Sequence, residues 1–457
     1  MVQEATLNYM RNSRLDDAGL GLSTSGGRAE HPHFFRGFVV NAEQAARALL
    51  AIAEVSQARY FDPSARALLK DPVVTSNLSV LRFESFSSCN GVYARFDLEA
   101  GGFDAEWLDW GTTNVDLNEP VRRALASVVP GEPLRLTVGN YAVTVETLDD
   151  AVVEHRVPLP ERWLRGFAET QIASSLMLPI VSLNGAQARA ALRELPCLKP
   201  GSRTPWITFA GGRPRLTSIA TDQTPCLVAA NRISALAGLA QYATSLTIYA
   251  PQQRRRLSMA GATIDASVRQ PSAWVIEMDH ARFTLIVSPE LYRGFSGEGA
   301  VLGSLAQVPE EHVALVAEML AGQAVLEPSA LAVASGLRED EVRGALSVLG
   351  ASGRTGFDLA TGAFFHRDLP YDRAVLSDLQ PRLKDAWALV GLGAVAGEED
   401  GGFSVRSGDL VYRVVLGEDD RCSCPWFMKH RGERGPCKHV LAAGLVASGD
   451  SARAANA

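Results

Sequence analysis

Short apolar runs with strand period, separated by turn residues, dominate the first two thirds of the chain. Residues 34–40 predict a strand, and the alanine-rich stretch to about residue 59 predicts a helix, with Asn41 and Gln44 spaced as a capping box. Residues 78–86, 92–98 and 106–110 predict an antiparallel meander in which Asn90-Gly91 turns the chain. A helix over 119–129 interrupts it, and residues 134–138 and 141–145 form a hairpin around Gly139-Asn140. After Pro158-Leu159-Pro160, residues 161–177 read as a helix with Trp163, Leu164, Phe167 and Ile172 on or near one face, and a second helix begins after Asn184. Residues 206–210 and 215–219 flank Gly211-Gly212-Arg213-Pro214 as a hairpin. An apolar helix over 229–242 precedes strands near 245–249, 256–259, 273–278 and 283–287.

This pattern is α+β with antiparallel strands. An N-terminal arm (1–30) of low apolar periodicity leads into a large mixed region over residues 31–300, either one domain or two divided near residue 158. The rhythm changes at 309–368: helices over 310–320, 328–334 and 338–349, a turn at Ser335-Gly336-Leu337, then short β runs around Ala360-Thr361-Gly362. That order resembles a winged helix, a module that often enters the DNA major groove. Its would-be recognition helix opens Arg338-Glu339-Asp340-Glu341-Val342-Arg343, three acids against two bases, which repels phosphates and favours a protein-contacting role. Residues 369–400 read as a helix and linker, 401–449 as a C-terminal ββα unit, and 450–457 as a flexible tail.

Composition narrows the class. The 457 residues suggest two to four domains, and 47% hydrophobic with 21% charged residues is ordinary for a folded chain. A net charge of −7 excludes a protein that coats nucleic acid along its whole length and leaves room for a local basic patch. The N-terminus lacks a basic region followed by an apolar one, and the apolar run 386–397 is well short of the roughly 20 residues a spanning helix needs. A cytoplasmic protein with no membrane span is expected. Cys89, Cys197 and Cys226 are scattered as buried packing residues would be.

Residues 111–118 crowd hydrogen-bonding side chains, but those types also make turns, and Asn118 is placed to cap the helix over 119–129. With no thiol or histidine nearby, no catalytic or organic-cofactor residue is assigned; an enzyme carried by 31–300 would have to draw on Asp116 or His155. His31 and His33 read as solvated or packing residues, Arg254-Arg255-Arg256 as a solvated face, and residues 294–299 as a linker lacking a phosphate-loop lysine.

The concentrated chemistry lies near the C-terminus. Cys422, Cys424, Cys437 and His439 place half of the six cysteines within sixteen residues, with a histidine two positions after the last. Three thiolates and an imidazole make a closed tetrahedral Zn2+ set with no open position for water, so the metal is structural. His430 could replace His439 but has no cysteine two residues away. The spacer makes the segment locally basic: from Arg421 to His439 there are five Lys or Arg against Glu433.

Cys-x-Cys followed by Cys-x-His at a helix start after two strands, including Cys424-Pro425-Trp426 and Cys437-Lys438-His439-Val440-Leu441-Ala442, resembles the SWIM-type zinc finger. The resemblance covers about the last 50 residues and implies a binding module for protein or DNA, with AAA-type ATPases and von Willebrand A-like proteins as associated partners. Two further readings stand beside a non-enzymatic adaptor: a DNA-binding regulator using the basic finger and the helix-turn-helix, and an enzyme with a site in 31–300.

Overall fold

The computed structural model describes residues 14–16, 19–21, 32–58, 72–157, 161–195, 206–218, 227, 232–251, 255–258, 261–264, 270–289, 294–297, 299, 302–303, 308–367, 381–417, 420–432 and 434–447. Thirteen strands build the two main sheets: β1 (His33–Val39), β2 (Val73–Asn77), β3 (Val80–Phe86), β4 (Val92–Glu99), β5 (Phe103–Leu108), β6 (Trp110–Asn114), β7 (Arg135–Gly139), β8 (Ala142–Glu146), β9 (Ala151–His155), β10 (Met177–Asn184), β11 (Ser245–Pro251), β12 (Ser272–Met278) and β13 (Ala281–Val287). The first sheet has the order β9-β8-β7-β1-β5, and the second β10-β11-β12-β13-β4-β3-β2-β6. Because β13 pairs with β4, strands from both sides of residues 158–160 share one antiparallel ladder. Mixed helices and antiparallel sheets make the class α+β, as the hydrophobic pattern predicts.

Helix α1 (Ala42–Gln57) buries its alanine-rich face with Leu49 and Ile52 in one core, together with Phe83 and Phe96 of the second sheet and Leu136 and Val138 of the first. Strand period places alternate residues on the opposite face of that second sheet. There Arg82 and Glu84 of β3 stand opposite Asp97 and Arg95 of β4, which in turn face Arg282 and Thr284 of β13. All six are buried or nearly so and five are charged, an unusual load that must be paired within the protein.

The helical module covers this charged face. Helices α5 (Glu310–Glu318), α6 (Pro328–Ser335) and α7 (Glu339–Ala351) precede the hairpin β14 (Thr355–Asp358) and β15 (Ala363–His366), packed around Val316, Leu320, Leu331, Val342 and Leu346. Gly336, at φ 73°, supplies the left-handed residue that ends α6. Asp358 accepts from Arg95 Nη2 at 2.8 Å and from Arg282 Nη1 at 2.9 Å, while Arg82 lies 3.5 Å over the Phe365 ring. Glu84 accepts from the Tyr93 hydroxyl at 2.5 Å and lies 3.5 Å from Arg367. Behind them α3 (Glu161–Ser175) sends Gln171 to the carbonyl of Leu346 and accepts from the Thr355 hydroxyl.

Several expected elements differ in detail. The run 78–86 breaks at Leu78 (φ 70°), because the Asn77 side chain accepts from the backbone of Ser79 and Val80 and turns β2 into β3. Gly111 to Asn114 lie within strand β6 rather than a turn; the buried Thr112 hydroxyl meets Thr75, and Thr113 donates to the carbonyl of Asn140. Asn41 and Gln44 do not form a capping box; both donate to Asp279, tying α1 to the β12–β13 turn. Asn118 sits at the N-cap of α2 (Glu119–Ser127), but its amide donates to Glu154 instead of capping. The helix after Asn184, α4 (Gly185–Arg193), does carry a capping box with Gln187. Residues 234–242 are 3-10 rather than α-helical, and β10 occupies 177–184, where the pattern predicted the end of a helix. Phe295 is buried and its N–H bonds to Asn90, so 294–297 is an anchored turn rather than a bare linker. His31, Cys197, Cys226 and Arg254 lie outside the described residues. No helix among the described residues is long and apolar enough to cross a membrane.

Candidate metal centre

The C-terminal unit begins with α8 (Pro381–Gly391) and a four-stranded sheet, β16 (Val395–Gly397), β17 (Phe403–Ser407), β18 (Leu410–Val415) and β19 (Arg421–Cys422). Residues 395–397, expected as linker, are thus a strand. Alternation turns Val405, Tyr412, Val414 and Cys422 inward, where α10 (Lys438–Ala447) covers them with Val440, Leu441 and Leu445.

Each metal-ligand candidate is set by local backbone. Cys422 is carried by β19, whose pairing with Val414 fixes its register. Cys424 is the N-cap of α9 (Pro425–His430): Pro425 opens that helix, and the Phe427 N–H donates to the Cys424 sulfur at 3.3 Å. Arg431 at φ 47° ends the helix, and Gly432 and Gly435, both at positive φ, return the chain to Cys437. Cys437 and His439 straddle the start of α10.

The outcome is a buried cluster in which one ligand atom from each of Cys422, Cys424, Cys437 and His439 lies within 4.8 Å of the others. His439 Nδ1 is 3.8 Å from Cys422 Sγ and 4.0 Å from Cys437 Sγ. A tetrahedron with metal–sulfur bonds of about 2.3 Å separates its corners by about 3.8 Å, so the spacing fits zinc. The Tyr412 ring packs against the imidazole at 4.5 Å between centroids. His430 packs at a tilt against Trp426, 4.7 Å between ring centroids, and is outside the cluster.

Of the three thiols, only Cys437 is drawn toward thiolate. A hydrogen bond from Cys422 draws the Cys437 thiol down to about 4 against the cost of burial, helped by His439 and by the N–H groups of His439 and Val440 at the start of α10. The same shared hydrogen bond raises Cys422, as burial also does, and burial raises Cys424. A bound divalent cation would override these differences by deprotonating each thiol it holds.

Arg382, which the sequence pattern did not single out, completes the site. Its Nη1 donates to the carbonyls of Arg434 (2.7 Å) and Pro436 (2.9 Å), and its guanidinium lies 4.7 Å over the Trp426 ring. The spacer between the cysteine pairs is therefore held from α8, and Leu383, Ala386 and Leu389 of α8 join the core that contains α10. A helix within 369–400 is legible in the sequence; the carbonyls that Arg382 grips, more than fifty residues away, are not.

The residues considered for an enzyme are placed differently. The bridge between Val115 and Arg156 brings their segments side by side, with Asp116 half-buried and His155 exposed on β9. No hydrogen bond or ion pair joins these two side chains among the described residues. The only grouping of His, Cys, Asp and Glu with metal-binding geometry among the described residues is the C-terminal one.

Residues 412–445 match the family model of the SWIM zinc finger, which with the Cys3His cluster supports Zn2+ binding. No curated protein matches the chain. Among solved structures, the chain is similar to proliferating cellular nuclear antigen from Entamoeba histolytica, at 12% identity and a TM-score of 0.36, over 56% of this chain and 99% of that one. It is also similar to the PCNA2–PCNA3 complex from Sulfolobus tokodaii, at 9% identity and a TM-score of 0.36, over 56% of this chain and 99% of that one.

Proposed function

We propose that this is a cytoplasmic, non-enzymatic adaptor whose zinc-stapled finger contacts other proteins. The observation that carries this reading is the composition of the finger's exposed residues: Val411 and Met428 are exposed, as are Arg421 and Arg431, and Met and Arg are residue types enriched at protein interfaces. A closed Cys3His set keeps this surface in shape and offers no open coordination position for chemistry. We read residues 309–368 as a winged-helix-like domain, 401–449 as the finger domain and α8 as its buttress. The SWIM resemblance suggests AAA-type ATPases or von Willebrand A-like proteins as partners.

A DNA-binding regulator is the second reading, favoured by the finger's bases. Against it, both arginines at the start of α7 are already occupied: Arg338 pairs with Asp340 at 2.8 Å, and Arg343 with Glu339 at 2.7 Å. With three acids against two bases at its start, that helix offers phosphates no net positive charge. The test is co-purification from the native host with wild type and Cys437→Ser, alongside duplex-DNA binding at about 50 mM salt. Loss of specific partners in the variant, with no salt-sensitive DNA binding, is expected; identical partners from a folded, zinc-free variant would refute the reading.

A further inference from the structure

Every thiol of the cluster has a backbone N–H donating to it, whereas the outer nitrogen of the imidazole has no partner. The N–H of Cys424 bonds to the Cys422 sulfur, that of Phe427 to Cys424, and those of His439 and Val440 to Cys437. Such bonds fix where each sulfur sits and spread its negative charge. His439 turns Nδ1 to the thiols, 3.8 Å from Cys422 Sγ and 4.0 Å from Cys437 Sγ. Its Nε2 is buried and has no hydrogen-bond partner among the described residues. A metal-ligating histidine ordinarily donates its second ring N–H to a carboxylate, a carbonyl or water, and that bond sets the tautomer and holds the ring.

What the imidazole has instead is Tyr412. The two ring centroids are 4.5 Å apart with 38° between the planes, a tilted ring-on-ring contact. The sheet delivers the tyrosine to this place: it stands opposite Val405 and two positions before Val414, which pairs with Cys422, so its ring lies on the ligand side of the ladder. The helix delivers the histidine, the second residue of α10. The Tyr412 hydroxyl makes no hydrogen bond among the described residues, so the ring is the part of the side chain that meets the site.

We infer that His439 takes the metal through Nδ1 and that Tyr412 is its positioning residue, holding the imidazole by ring contact where other sites use a hydrogen bond. The inference rests on the zinc reading of the cluster and not on the adaptor reading. Rotation about the Cβ–Cγ bond of His439 would carry Nδ1 away from the sulfurs, and no hydrogen bond at Nε2 resists it; the Tyr412 ring packed against the imidazole does. A phenyl ring would serve as well, because the contact is made by ring atoms.

The experiment uses the full, zinc-loaded chain as wild type, Tyr412→Phe, Tyr412→Leu and His439→Cys, with zinc retention read in a chelator competition. Tyr412→Phe is expected to stay within twofold of wild type, and Tyr412→Leu to lose about two- to tenfold, the worth of an aromatic pair. Combining Tyr412→Leu with His439→Cys separates positioning from packing: without the imidazole the ring has nothing to position, so the loss should vanish relative to His439→Cys alone. In protein labelled with nitrogen-15 at histidine, the resonances that His439→Cys removes should report a metal-bound Nδ1 and a protonated Nε2. Undiminished retention in Tyr412→Leu, an equal loss in Tyr412→Phe, the same loss in the His439→Cys background, or a metal-bound Nε2 would each overturn the assignment. A wild type that holds no zinc would overturn it together with the zinc reading; identical cellular partners for zinc-free Cys437→Ser would overturn the adaptor reading alone.

Discussion

Asp358→Ala tests how the helical module is held on the central sheet. Asp358 ties the hairpin to Arg95 and Arg282, and its removal leaves Arg95, 1% exposed, with Asp97 as its only remaining ion-pair partner among the described residues. Asp97 also serves Arg82 at 2.6 Å, so two buried guanidiniums would share one carboxylate. An uncompensated buried charge of this kind costs about 3–5 kcal/mol. If that cost falls on the docking of the hairpin, amide-exchange protection across Thr355–Asp358 and Ala363–His366 should drop by about 150-fold to several thousandfold. Replacing both partners, Arg95→Met with Asp358→Leu, leaves Arg82 with Asp97 and Arg282 with Glu277, and should restore most of the protection. Burial alone would raise the Asp358 carboxyl, but Arg95, Arg282 and Arg82 outweigh it and hold the group well below the usual range. Its stabilisation is therefore complete above the unfolded value of about 3.9 and is lost as the pH falls from there toward the depressed folded value. The wild-type hairpin should loosen below about pH 4 through this group, and the Asp358→Ala hairpin should lack that component. Hydrogen exchange by mass spectrometry at pH 7 reads the main effect; protection within threefold of wild type would refute the reasoning.

Other consequences are local to the finger. Arg382→Ala removes two hydrogen bonds to the spacer and the stacking on Trp426, and should weaken zinc retention about 10- to 100-fold in a chelator competition, leaving the central sheet unaffected. Gly435→Ala puts a side chain at φ 72° and drives its Cβ into the carbonyl oxygen of Gly299, so the finger should lose more than about 1 kcal/mol of stability, read as faster proteolysis within 420–447. Chelation of the metal should abolish protection of α10 amides while the β3–β4 ladder keeps its own, because the thiolates then lose the charge that holds them together. Asn41→Ala should cost less than about 1 kcal/mol in thermal denaturation, since its bond to Asp279 is exposed and it does not cap α1.

The sequence by itself determined the candidate metal centre, because its four candidate ligands fall within eighteen residues and each is placed by short-range structure: a strand end, a proline-opened helix, two glycine turns and a helix start. It also determined the α+β class and most strands and helices, since hydrophobic period is a local property. The features that only the tertiary structure decided involve partners far apart in the chain. Asn41 and Gln44 have capping spacing, yet Asp279 lies 238 and 235 residues away and takes both amides. Arg82, Arg95 and Asp97 lie on the sheet face opposite the hydrophobic core, which alternation alone leaves open to water; they are buried because the hairpin arrives with Asp358, 263 residues beyond Arg95. Arg382 likewise carries no local signal, because the spacer carbonyls it grips lie 52 and 54 residues further along the chain. Alternation along a strand says which residues share a face, and the rest of the fold decides whether that face meets water, a second layer or a partner.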